Sequence, residues 1–232
     1  MWKNGIAQDL TDGTNSASAR SVYVSGSDVY VTGDDRPVAK LWKNGVAQNL
    51  TDGTKETCAS SVYVSGNDVY VAGWTGNAKG SVAKLWKNGV IQNLTDETND
   101  SETQSVFVSG SDVYVTGRES NGKVYVAKLW KNGIAQNLSK GAYAYAYSAY
   151  VSGNDVYVPG RELMAATLWK NGIVQNLTDG TNEASAYSVY VSGNDVYVAG
   201  HDNKVATLWK NGVAQNLSDG TRNAFAHSVF VK

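Results

Sequence analysis

An all-β fold built from one repeated unit is what this sequence predicts, on three observations. The phrase Trp-Lys-Asn-Gly recurs at Trp2, Trp42, Trp86, Trp130, Trp169 and Trp209. A second phrase, Val-Tyr/Phe-Val, recurs at Val22, Val62, Val106, Val189 and Val229, with Ala149 opening the remaining copy. The period, 39 to 44 residues, is written in strand-like words and is that of a propeller or a solenoid.

The elements of one unit follow in order along Ser188 to Leu217. Ser188-Val-Tyr-Val-Ser192 is a short β run (strand A), and Gly193-Asn194-Asp195 is a turn. Asp195-Val-Tyr-Val-Ala-Gly200 is a second run (B), followed by a variable stretch from His201 to Lys204. Val205-Ala-Thr-Leu-Trp-Lys210 (C) and Val213-Ala-Gln-Asn-Leu217 (D) flank Asn211-Gly212. An Asn-Gly pair between β runs is a strong hairpin signal, because a type I′ turn needs positive φ at both central residues. Each unit is thus four antiparallel strands, and no segment carries a helical stripe of useful length. One such sheet cannot bury its own faces and needs neighbours on both sides. Strand D is the most polar of the four and suits the outer edge, where an apolar strand would invite aggregation. Strand A is short and uncharged, and suits the crowded centre.

The words Ser188-Val-Tyr-Val, Asp195-Val-Tyr-Val-Ala-Gly and Val205-Ala-Thr-Leu-Trp-Lys resemble the β-propeller family, most closely propellers with NHL-like blades. No Trp-Asp pair closes any repeat, as it would in WD40 blades, and the paired glycines of kelch repeats are missing. The resemblance spans the chain and implies a single domain, residues 1–232, forming a six-bladed propeller of four-stranded antiparallel blades around a central channel. It implies no particular chemistry, since propellers carry binders, scaffolds and enzymes alike. The repeat holds six copies of A, C and D and five of B. The closing blade is therefore expected to be built from both termini, Ser228–Val231 beside Trp2–Leu10, and to be incomplete, with strand exchange between chains as an alternative. The deficit also fits a fragment of a longer array.

Composition narrows the partners. Twenty basic against 21 acidic residues leave a net charge of −1, without the basic field that nucleic acid requires. No apolar run approaches the roughly 20 residues of a membrane helix, and no basic-then-apolar leader follows Met1. The chain reads as cytoplasmic, or as part of a longer secreted protein, and as a monomer. Cys58 is the single cysteine, so no internal disulfide forms. Its counterparts are Ser18, Glu102, Tyr145, Ser185 and Phe225, which makes it an incidental loop thiol.

Antiparallel topology puts the A–B and C–D turns on one face and the B–C and D–A loops on the other. The first face is monotonous: Ser-Gly-Ser/Asn-Asp in five copies and Lys-Asn-Gly in six. The second varies. The position before strand A holds Arg20, Ser60, Gln104, Tyr147, Tyr187 and His227, and the position after the strand B glycine holds Asp34, Trp74, Arg118, Arg161 and His201. Binding residues collect on loops carried by a rigid scaffold; exposed loops also drift, and the sequence leaves both readings open.

Candidate chemistry is sparse. His201 and His227 have no third ligand at a telling spacing, so lone histidines are the simpler account and neither metal nor other cofactor is expected. Thr-Asp-Gly-Thr at Thr11, Thr51 and Thr178 reads as a turn opened by Asp-Gly, with too few oxygen ligands for calcium. The recurring Asp28, Asp68, Asp112, Asp155 and Asp195 read as turn acceptors, and the Trp residues of the repeat as filling between blades. Asn-Leu-Thr/Ser at Asn49, Asn93, Asn137, Asn176 and Asn216 matches a glycosylation acceptor but comes with the copied word of strand D, and it is discounted. No nucleophile, base and orienting acid stand out as a set, so enzyme activity has no positive support. The expected function is a lectin-like binding module for a glycan or other polar small ligand at the variable face. Trp74, Tyr147 and Tyr187 would stack, Arg20 and Arg161 would donate, and His227 would donate or accept. A protein-interaction scaffold using the same face is the alternative, and an enzyme of unknown class the third reading.

Overall fold

The computed structural model describes residues 1–140 and 143–231, leaving Gly141, Ala142 and Lys232 outside. Among the described residues every regular element is a strand. Two short strands come first, β1 (Trp2–Lys3) and β2 (Ile6–Ala7), and form a sheet of their own. The first full blade is β3 (Ala17–Ser25), β4 (Asp28–Asp35), β5 (Val38–Lys43) and β6 (Val46–Asn49). The second is β7 (Thr57–Ser65), β8 (Asp68–Asn77), β9 (Gly80–Lys87) and β10 (Val90–Asn93). The third is β11 (Ser101–Ser109), β12 (Asp112–Ser120), β13 (Tyr125–Lys131) and β14 (Ile134–Asn137). The fourth is β15 (Ala144–Ala146), β16 (Tyr150–Ser152), β17 (Asp155–Glu162), β18 (Ala165–Lys170) and β19 (Ile173–Asn176). The fifth is β20 (Ala184–Ser192), β21 (Asp195–Asp202), β22 (Val205–Lys210) and β23 (Val213–Asn216). Each full blade is ordered A-B-C-D, all antiparallel. The fold is of the β-propeller class, with six repeats: five full blades and the two-stranded sheet β1–β2, in which, against expectation, no strand from Ser228–Val231 takes part. Residues 224–231 lie in no strand. By compactness the chain divides into Met1–Gly110 and Ser111–Lys232.

Local chemistry explains the blades. Each Asn of the Asn-Gly pair sits at φ 50° to 53° and each Gly at φ 78° to 85°, the left-handed pair of a type I′ turn. The adjoining A–B turn is tied to it. Asp68 accepts from Lys87 Nζ at 2.7 Å and from Asn88 Nδ2 at 2.7 Å, while Asn88 Oδ1 accepts the Val69 N–H at 2.8 Å. The same clamp recurs at Asp28, Asp112, Asp155 and Asp195. Strand D is exposed along its whole length in every full blade, as its polarity requires. Successive blades share a core: Tyr30, Ala39 and Leu41 of one sheet cluster with Val62, Val64, Val71 and Trp86 of the next, and Tyr157, Ala166 and Leu168 with Val189, Val191, Val198 and Trp209.

Three expectations need correction. Trp42, Trp86, Trp130, Trp169 and Trp209 are fully buried, but Trp2 is 76 % exposed, on a sheet that holds β1 and β2 alone among the described residues. The words read as D–A loops are mostly strand, since A begins at Ala17, Thr57, Ser101, Ala144 and Ala184. Strand B likewise runs through the residues after its glycine, so His201 and Asp202 are in β21 and only Asn203-Lys204 turns. Cys58 is therefore no loop thiol: it lies buried on β7, opposite Trp74.

Candidate functional site

Within each unit the longer strands carry the variable positions, and a β-bulge places them. On β20 and β21, Ala186 faces Gly200 and the next pair is Ser188 with Ala199, so Tyr187 is an extra residue. Arg20 and Ser60 are the extra residues of β3 and β7. A bulge re-aims its side chain out of the strict alternation. Two residues earlier, the side chain is paired across the ladder with the residue after the strand B glycine: Ser18 with Asp34, Cys58 with Trp74, Tyr145 with Arg161, Ser185 with His201. In the fourth blade strand A splits into β15 and β16 around Tyr147. Pro159 lies opposite this break and brings no N–H to the ladder, although its carbonyl still accepts from the Tyr147 N–H at 3.0 Å.

The glycine of strand B makes this approach possible. A Cβ on Gly200 would stand 2.0 Å from the Ser185 carbonyl oxygen, and one on Gly160 2.1 Å from that of Tyr145. Glycine is required here for close backbone approach within the strand, rather than for a turn.

In the second unit the layer is aromatic. Tyr145 stacks with Tyr147 at 6.2 Å between ring centres, and Tyr147 meets Tyr187 at 5.2 Å. Tyr187 stacks on His201 at 5.5 Å and on His227 at 5.3 Å, and Phe225 closes edge-on against His201 at 4.9 Å. The Arg118 guanidinium lies over Tyr125 and Tyr145, at 4.2 and 4.8 Å. Phe225 and His227 are carried by an extended segment seated on the fifth blade, where the Ala226 N–H donates to the Gly200 carbonyl at 3.1 Å.

A cavity of about 410 Å³ opens among these rings, walled by Tyr147, Tyr187, His201 and Phe225 on its aromatic side. Ser185, Asn203, Asn223 and Lys204 supply polar groups, and Arg161 and Glu183 form an ion pair on its wall. Arg161 Nε also donates to the Leu163 carbonyl, so the guanidinium is held in one orientation. His201 is 6 % exposed, and its Nδ1 has no hydrogen-bond partner. Burial pulls its pKa below the usual imidazole value, so it is neutral near pH 7. Burial also pushes the Tyr147 and Tyr187 phenols up, keeping both protonated as donors.

The site residues read from sequence divide accordingly. Tyr147, Tyr187 and Arg161 line one cavity, and His227 stacks on Tyr187 beside it. Arg20 and Trp74 belong to the first unit. Arg20 Nε is bound to buried Asp34 at 2.9 Å, and Trp74 is half-buried on β8. Sequence reasoning passed over His201, Phe225 and Glu183. His201 occupies the same variable strand B position as Arg161, and Phe225 the position of Tyr145, which was the signal available. Among the described residues no three His, Cys, Asp or Glu side chains gather as a metal site.

No protein-family model matches the chain, and no curated protein matches it. Solved structures do. A computationally designed protein, Ika8, superposes with a TM-score of 0.55 at 18 % identity, over 93 % of this chain and 65 % of its own. A mutant of Trypanosoma rangeli sialidase displaying trans-sialidase activity gives 0.52 at 11 % identity, over 93 % of this chain and 50 % of its own. Puromycin hydrolase gives 0.52 at 12 % identity, over 90 % and 39 %. The chain thus spans under two thirds of the length of each, and at these identities what it shares with them is the propeller fold.

Proposed function

We propose that the second unit binds a small hydroxyl-rich ligand, a sugar above all, in the cavity between Tyr147 and Phe225, without turning it over. The observation that carries this is the buried imidazole of His201, a residue lining an aromatic-walled cavity, whose Nδ1 has no hydrogen-bond partner. A buried polar atom without a partner costs about 1–3 kcal/mol, which a ligand hydroxyl would recover if the imidazole turned its Nδ1 into the cavity. Tyr187 and Phe225 offer rings to the apolar face of a sugar, while Asn203, Asn223 and the free N–H groups of Arg161 fix its hydroxyls. The volume falls in the range of small-ligand sites, roughly 300–1,000 Å³. Binding rather than catalysis is proposed because Glu183 is already paired with Arg161, and no second titratable group is hydrogen-bonded to His201 among the described residues. The likeness to a sialidase extends to the fold and does not carry this reading. The blades are read as NHL-like on their strand words, and that too is part of the proposal.

A glycan array on the intact protein identifies the ligand. Tyr147→Ala with Tyr187→Ala should then weaken binding tenfold or more, in line with about 1–2 kcal/mol for interface aromatics. Lys131→Ala with Lys170→Ala, at the copied turns, should leave it unchanged. An array without a single saccharide signal, or binding lost only in the lysine pair, would overturn the proposal; a protein captured through Tyr187 would favour a scaffold instead.

A further inference from the structure

We propose that the fourth blade binds a primary alkylammonium group, in a cavity at the place that a lysine ammonium fills in the first three blades. Strand C carries a lysine opposite the strand B glycine in those three: Lys40 opposite Gly33, Lys84 opposite Gly73 and Lys128 opposite Gly117. Two residues beyond the glycine, on the same face of the sheet, strand B supplies Asp35 in the first blade and Glu119 in the third. Lys40 Nζ meets Asp35 at 3.0 Å, and Lys128 Nζ meets Glu119 at 2.6 Å. In the second blade Thr75 holds the place of the acid. There Lys84 Nζ donates to Asn93 Oδ1 at 2.6 Å and to Glu97 at 3.1 Å.

The fourth blade keeps the acceptors and lacks the cation. Its register is the same: Thr167 lies opposite Gly160 and Asn176, and Glu162 opposite Ala165. Glu162 thus stands at the place of Asp35 and Glu119, and Asn176 at that of Asn93. Thr167 is too short to replace the lysine, and its hydroxyl donates to the Ala165 carbonyl at 3.2 Å. Among the described residues no side chain bonds the Glu162 carboxylate, and burial alone pushes its pKa up. In the second blade, by contrast, the Lys84 ammonium holds Glu97 below the usual carboxylate range. A half-buried carboxylate without a cation is what an ammonium ligand satisfies.

A second truncation opens the space. Ala165 stands where the other blades have Val38, Val82, Val126 and Val205. A Cβ on Gly53 or Gly220 would lie 3.1 or 3.0 Å from the Cγ2 of Val38 or Val205, whereas one on their counterpart Gly180 would lie 3.6 Å from the Ala165 Cβ. The result is a cavity of about 530 Å³ walled by Glu162, Ala165, Asn176 and Gly180, with the exposed Leu163 and Met164 beside them. The fifth blade also has a threonine, Thr207, but it keeps Val205 and brings Lys204 to the turn. The occupant follows from these groups. Glu162 and Asn176 accept from an ammonium, and Leu163 and Met164 cover an alkyl chain like the four-carbon stem of lysine. A free amine or the lysine side chain of another polypeptide carries this chemistry.

The test is calorimetric titration of the intact protein with n-butylammonium and, in a second arm, with Nα-acetyl-lysine amide. n-Butanol and sodium chloride are the controls for chain alone and charge alone. Saturable binding of an amine, about tenfold or more tighter than either control, is expected. The tighter arm tells a free amine from a polypeptide's lysine. Glu162→Gln should weaken binding about tenfold or more, the order of one charge-assisted hydrogen bond. Thr167→Lys should abolish binding by supplying the ammonium from within, while keeping or raising the unfolding midpoint. Ala165→Val, which restores the residue of the other blades, should weaken it as well and decides the matter if Thr167→Lys does not fold. No saturable binding of either amine, equal binding of n-butanol or sodium, or unchanged affinity in Glu162→Gln would each overturn the proposal. The Tyr147→Ala/Tyr187→Ala double variant should bind the amine like the parent, which keeps this result independent of the sugar site.

Discussion

Replacing Gly200 by alanine tests the geometry on which the candidate site rests. The added Cβ would stand 2.0 Å from the Ser185 carbonyl oxygen, 2.9 Å from its carbon and 3.0 Å from the Ala186 Cα. All three are backbone atoms, so no rotamer change relieves the contact. Strands A and B would have to separate by more than 1 Å at the bulge, loosening about two ladder hydrogen bonds worth roughly 0.5–1.5 kcal/mol each. Overpacking adds about 1–3 kcal/mol, giving roughly 2–6 kcal/mol in all. Gly193→Ala is the control. It has φ 59° and nothing within 4 Å of an added Cβ, so its cost is the left-handed backbone alone, about 1–2 kcal/mol. Urea unfolding followed by circular dichroism should show a midpoint shift for Gly200→Ala at least twice that for Gly193→Ala. Equal shifts would refute the close-approach argument. Because Tyr187 and Ser185 sit on the displaced strand, any sugar affinity should fall in Gly200→Ala even in buffer where the protein stays folded.

Trp86→Ala should cost about 3–5 kcal/mol on chemical denaturation, the range for a buried large aromatic, while Trp2→Ala should cost close to nothing. Stability should fall steeply below about pH 4, read as the thermal midpoint. Hydrogen bonds from Lys87 and Asn88 hold Asp68 below the usual carboxylate range, and the same donors act on Asp28, Asp112, Asp155 and Asp195. Asp12, Asp52, Asp96, Asp179 and Asp219 are lowered by the N–H and hydroxyl of the threonine two residues on. A depressed folded pKa gives stability that is present above the unfolded value and lost as pH falls through the folded one. Asp68→Asn should flatten that acid limb, and a midpoint that does not move between pH 5 and pH 2 would contradict the clamp. Cys58, buried and with its thiol pKa pushed up by that burial, should react with an aromatic disulfide reagent only after unfolding.

The blade was readable because its determinants are local. Asn-Gly sets the C–D hairpin by φ alone, and Val-Tyr-Val alternation sets which faces are buried. The extent of strands A and B was not readable, because what extends them is tertiary. Ala17-Ser18-Ala19 looks like a loop until Gly33 lets the neighbouring backbone approach it. Trp2 opens the same phrase as the five buried tryptophans, and it is exposed where its sheet holds β1 and β2 alone among the described residues, in line with the count of five copies of strand B against six of C.

The same physics explains why variation collects where it does. The residue before Ser-Val-Tyr-Val is extra to the ladder, so its side chain is released from the packing that fixes its neighbours. Ala184 and Ala186, on either side of Ser185, are fully buried and admit little else, whereas Tyr187 is half-exposed. Together with the strand B position two residues upstream of its pairing, the bulge gives each blade a small set of side chains that can change without cost to the core. In the first unit these became Arg20 with Asp34, an ion pair at 2.9 Å, and Cys58 opposite Trp74 across the ladder. In the second they became Tyr147, Tyr187, His201, Phe225 and His227, stacked around a cavity with one nitrogen left unpaired. Unpaired buried polar atoms also occur in the filling of the blades, as at Nε1 of Trp86, Trp130, Trp169 and Trp209, so it is the place of His201 beside an aromatic-lined cavity that favours a binding surface over drift. His201→Phe should accordingly keep or raise the unfolding midpoint while removing affinity for the sugar, and a His201→Phe protein that binds like the parent would place the ligand elsewhere.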